Sequence, residues 1–126
     1  MVSMTAAFTP PGWPAQVRAP GAPDWERTAI AFLLDCSPPD FRAYRVLRNH
    51  PVVLARFAAE FVRGQCRSAE EGLAEVRTSL SDCVDPPVIE AAAEVWLEQA
   101  ARLARTKRAV GLVEAALRGT EFTPKL

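Results

Sequence analysis

The sequence predicts an all-α protein: a long antiparallel helical hairpin, about 51–82 and 86–118, packed with one or two shorter N-terminal helices and preceded by an extended proline-rich arm. Three observations carry this expectation. No proline interrupts the chain between Pro51 and Pro86 or between Pro87 and Pro124. Within both stretches apolar residues advance by alternating threes and fours, the spacing that lines up one face of a helix. Prolines, glycines and short polar residues fall where those stretches begin and end. At 126 residues the chain suits one domain, divided into an arm (1–22), a helical domain (23–119) and a short tail (120–126).

The arm reads TPPGWPAQVRAPGAP from Thr9 to Pro23, and its prolines and glycines exclude a helix. Phe8, Trp13 and Val17 give it apolar anchors, so it is expected to lie on the helical body. The first helix starts near Pro23–Trp25 and ends at Ser37. Trp25, Ala29, Phe32, Leu33 and Cys36 form its stripe, widened by Ile30 and Leu34. A short helix to about Arg48 follows, with Ser37 as cap and Pro38 in the first turn. Asn49, His50 and Pro51 repeat that signal.

In the first long helix the seam runs through Phe57 or Ala58, Phe61 or Val62, Cys66, Ala69, Leu73, Val76 and Leu80. Asp85 can cap the second and Pro86 begin it. Ile89, Trp96, Leu103, Val110 and Leu117 then recur every seven residues, with Ala93 and Ala100 between, and Gly119 ends the helix. Helices of about thirty residues span roughly 45 Å each. Counting back from the turn sets Leu80 opposite Ile89, Val76 opposite Ala93, and Leu73 or Gly72 opposite Trp96. Space for the indole explains a mid-helix glycine, which otherwise costs about 1 kcal/mol relative to alanine.

Fifteen Lys+Arg balance fifteen Asp+Glu, so the summed charge draws the chain toward neither nucleic acid nor an anionic membrane. No apolar run reaches the roughly 18 residues of a membrane span, and the N-terminus lacks the pattern of a secretory signal, so a cytoplasmic location is expected. Cys36, Cys66 and Cys83 have no metal or dithiol spacing and are expected to stay unpaired, as small hydrophobes. Cys83 is the best candidate for a reactive thiol.

His50 is the single histidine, and it precedes a proline at a helix start, where a structural or exposed role is expected. There is no HExxH, no Glu-x-x-His pair and no glycine-rich phosphate loop, so no cofactor, metal or catalytic residue is expected. Glu90, Glu94 and Glu98, four residues apart, read as a solvated helix face. The Glu98–Arg102 and Glu114–Arg118 pairs have the favourable orientation for support along the helix.

The segments PGWPAQVRAPGAPDWERTA, RNHPVVLARFAAE and AEVRTSL resemble a family of small uncharacterised helical proteins from actinomycetes. That resemblance implies a bacterial cytoplasmic origin and carries no activity. The hairpin shape is also that of small secreted WXG-type proteins, but the turn here, SDCVDPP, has no Trp-x-Gly, which rejects the relation.

The function expected is non-catalytic: a helical interaction or regulatory module that presents the hairpin to a protein partner or to its own copy. The first helix is short, so part of the seam is left without a third layer. The candidate surface is Trp13, Cys66, Leu73, Val76, Trp96 and Ala100, to be covered by the arm, a second copy or another protein. An alternative is a small apolar-ligand protein or enzyme with a pocket between the first helix, the arm and Phe57–Phe61. A further alternative is a nucleic-acid-associated protein using Arg63, Arg67, Arg102, Arg105 and Arg108, which the neutral total charge and the nearby Glu60, Glu70 and Glu71 disfavour.

Overall fold

A computed structural model describes residues 7–125; the first six residues of the arm and Leu126 lie outside it. Four α-helices follow one another: α1 (Trp25–Asp35), α2 (Arg45–Asn49), α3 (Pro51–Leu80) and α4 (Pro86–Leu117). A single 3-10 turn, Pro39–Ala43, stands between α1 and α2, and the described residues contain no strand. The two long helices pack against each other as the expected antiparallel hairpin.

The arm is fastened before α1 begins. Thr28 Oγ1 accepts the Arg18 amide at 3.0 Å and donates to the Trp25 carbonyl at 2.8 Å. Asp24, at φ 64°, turns the chain into α1 through the left-handed region that short polar residues tolerate. The helix ends at Asp35, one residue short of the last member of its stripe, Cys36. Ser37 does not cap the next helix; its buried hydroxyl donates to the Leu33 carbonyl at 2.7 Å and seals the end of α1.

The run from Pro38 to Arg48 is not one helix. Pro38, ahead of another proline, is driven to φ −53° and ψ 142°, and Tyr44 is extended at φ −92° and ψ 114°. Phe41 and Leu47 explain the break. Six residues apart, they would sit about 120° apart around an uninterrupted helix. With the break, Phe41 meets Phe57 edge-on at 6.0 Å while Leu47 is fully buried.

At the base of the hairpin, Leu54, Ala58 and Val62 of α3 meet Val110 and Val113 of α4. Ala29, Phe32 and Leu33 of α1, Leu47 of α2 and Val17 of the arm close over them. Pro51 and Pro86 occupy the first turns of α3 and α4, where a missing amide costs nothing. Asp85 stands at the cap position of α4, but its side chain makes no capping hydrogen bond; its carbonyl accepts the Val88 amide at 2.9 Å. Gly119, at φ 98°, ends α4. Its amide reaches the Ala116 carbonyl and the Thr120 amide reaches Ala115, the paired bonds of a Schellman turn.

Toward the turn the hairpin thins to two helices. Between residues 67 and 106 only Ala69 and Ala93 are buried. The register there is the one the spacing predicts: a β-carbon on Gly72 would stand 2.8 Å from Trp96 Cζ2, and Trp96 Nε1 donates to the Ala69 carbonyl at 2.7 Å.

Candidate functional site

The seam residues anticipated as an interaction surface lie along the outer half of the hairpin. Cys66 is buried, and Leu73, Val76, Trp96 and Ala100 are half-buried. Trp13 is not among them. It sits at the base, packed on the core, with Nε1 donating to the Val17 carbonyl at 2.9 Å and its ring edge-on to Phe122 at 6.0 Å. The described part of the arm therefore does not cover the outer half, because its bonds to Thr28 and Arg108 hold it beside α1 and the C-terminal part of α4.

The outer half exposes more apolar surface than its seam residues suggest. Val88 is 52% exposed, Val95 57% and Leu97 50%. Val88, Ala91 and Val95 continue the three-and-four spacing on a flank of α4 beside the α3 seam, so this second stripe was readable in the sequence. Singly such residues mean little; grouped on an uncovered segment they mark a surface that gains by being covered.

The charges are sorted along the hairpin axis. Residues 68–101 carry eight carboxylates and one cation, Arg77, while the rest of the chain carries seven carboxylates and fourteen cations. A chain of zero net charge is thus divided into a tip at −7 and a body at +7. Summing over the whole chain hid this division; summing by half-hairpin reveals it.

The five arginines proposed as a basic patch are differently employed. Arg63 is paired with Glu60, and Arg108 donates twice to the Pro11 carbonyl, at 3.1 and 2.9 Å. Among the described residues Arg67, Arg102 and Arg105 have no carboxylate within ion-pair distance, and Glu94 and Glu98 have no cation within it. The Glu98–Arg102 pair anticipated along α4 therefore does not form, whereas Glu114–Arg118 does, at 3.0 Å. Glu114 also reaches Arg56 of α3 at 3.3 Å and is buried, so it clamps the two helices at the base instead of lining a solvated face. Nothing in its local spacing distinguished it.

Glu90 pairs with Arg77 at 3.7 Å across the hairpin, and among the described residues no three metal-ligating side chains converge. Two open grooves flank the arm. One, of about 410 Å³, lies between Phe8, Pro20, Ala116 and Phe122. The other, about 360 Å³, has Phe32, Ala109 and Pro14 at its floor and Arg102 and Arg105 at its rim. Phe57 and Phe61 line neither: Phe57 is half covered by Phe41, and Phe61 packs on the core.

All three cysteines are free. Burial pushes the Cys36 thiol up to about 11, with help from the neighbouring Asp35 charge. Burial also raises Cys66, against a smaller opposing pull from Lys107 and with a further push from Glu70. Cys83, beside the turn, is exposed. No helix among the described residues is long and apolar enough to cross a membrane. Comparison with known protein families, curated proteins and solved structures found no match.

Proposed function

We propose that the protein is a non-catalytic interaction module whose working surface is the outer half of the hairpin. One observation carries the reading: among the described residues this segment has no third layer, and it exposes Val88 and Val95 along a face that the body covers elsewhere with α1 and the arm. Two packed helices alone bury little apolar area, so a partner laid on them gains what α1 supplies at the base. A photo-crosslinking residue placed at Val95 tests it in the native cell, against the same residue at Ala43, which is exposed on the 3-10 turn of the body. A discrete adduct from position 95, with none from 43, is the expected result. Equal labelling at both, or none at either, refutes the reading.

A small-ligand function has one observation in its favour, the two grooves beside the arm. Both are open to solvent and flanked by the arm, and neither gathers side chains that could carry out a reaction.

A further inference from the structure

Along α4, the flank that carries Val88, Ala91 and Val95 continues at the same three-and-four spacing through Glu98, Arg102 and Arg105. All six are exposed. The first part of this stripe is apolar and acidic and belongs to the tip at −7. The second is basic and forms the rim of the groove floored by Phe32 and Ala109. Glu98, Arg102 and Arg105 have no ion-pair partner among the described residues. The stripe thus holds both halves of a complementary pair on one helix, in opposite order from its centre.

We infer that this stripe is the contact between two copies of the chain, packed antiparallel with the two-fold axis passing beside Glu98 and Arg102. The inference rests on the outer hairpin being an interaction surface, and it names the occupant. Reversing the second helix brings Glu98 of each copy onto Arg102 of the other. Val95 then lies along the stem of the other copy's Arg105, and Ala91 lies over Ala109, with Gly12 of the arm as the groove wall. The two-fold repeats every contact and closes the assembly at two chains. A parallel arrangement would stack Glu98 on Glu98 and leave the groove empty.

Burial of Val88 and Val95 supplies the attraction, since exposed ion pairs contribute little by themselves. The charges fix direction and register and speed the encounter. Acid packed on base also removes the self-repulsion within each tip. A separate basic protein would satisfy the tip alone, whereas a second copy satisfies tip and groove together.

Sedimentation velocity of the full chain tests this at low salt and at about 1 M, where the Debye length falls to ~3 Å. The parent is expected to sediment as a dimer at low salt and to dissociate in part as salt rises. Glu98→Arg and Arg102→Glu, both at exposed positions, should each weaken self-association by roughly a hundredfold, because like charges then meet twice across the axis. Mixed in equal amounts, the two variants should form a heterodimer, since every pair is again of opposite sign. Their thermal unfolding when monomeric reports that the fold is intact.

A parent that is monomeric at low salt throughout the micromolar range overturns the proposal. So do single variants that associate like the parent, or a mixture that stays monomeric. A monomeric parent that still gives a discrete adduct with another protein from position 95 overturns the dimer and leaves the interaction surface standing.

Discussion

Three glycines lie inside the long helices, and the structure separates one from the other two. A β-carbon added to Gly64 or Gly111 meets nothing within 4 Å, so replacing either by alanine should stabilise the protein by about 1 kcal/mol, the ordinary gain in helix propensity. At Gly72 the same carbon stands 2.8 Å from Trp96 Cζ2 and 3.4 Å from Cη2. The ring cannot back away freely, because its Nε1 is bonded to the Ala69 carbonyl one turn earlier on the same helix. Overpacking of this kind costs about 1–3 kcal/mol, which cancels or exceeds the propensity gain. Gly72→Ala should therefore be neutral to destabilising by about 2 kcal/mol, and Gly72→Leu worse. Urea unfolding of the three alanine variants gives the comparison directly. Trp96→Phe should restore the gain at position 72, since the smaller ring does not reach. Were Gly72→Ala to stabilise as much as Gly64→Ala, the register of the outer hairpin would be wrong.

The contrast between base and tip should appear in truncations. Leu54→Ala, at a fully buried position, should cost about 2–5 kcal/mol in urea unfolding of the monomer, and Leu97→Ala no more than about 0.5 kcal/mol. Glu114→Ala removes the clamp between α3 and α4 but leaves two half-exposed guanidinium groups in reach of water. Its cost should be about 1 kcal/mol, below the 3–5 kcal/mol of a broken fully buried pair, and calorimetric unfolding checks it. Among the thiols, Cys83 should be alkylated first at pH 8, as read by mass spectrometry. Labelling of Cys36 should still be accelerating above pH 10, because a thiol held up to about 11 has little thiolate at pH 8; equal rates at Cys36 and Cys83 would contradict this.

The long helices were legible because period and punctuation agree. Pro51, Pro86 and Gly119 mark their limits, and the seven-residue recurrence from Ile89 to Leu117 fixes the face turned to α3. The Gly72–Trp96 contact was legible for a steric reason, since a large ring opposite a residue without a side chain leaves one economical register. The segment from Pro38 to Arg48 misled because its prolines and polar residues satisfy the rules for a helix start, whereas the break at Tyr44 is set by where Phe41 and Leu47 must point. Glu114 misled for a similar reason: its spacing to Arg118 is that of a surface pair, and only the approach of Arg56 from α3 shows that it is covered. In the outer half, the seam residues were identified but Trp13 was grouped with them, and nothing local to the arm shows which end of the hairpin it follows.

The sorting of charge between tip and body has a consequence for how the molecule behaves in an electric field. With no net charge at neutral pH it should scarcely migrate, yet each copy is a long dipole that turns until its tip faces the anode. A monomer at low ionic strength should adhere to anion-exchange and cation-exchange media alike, tip first on one and body first on the other, and leave both as salt shortens the reach of its field. Two copies laid antiparallel cancel their dipoles, so the paired form should lose that double affinity and turn far more weakly in the same field.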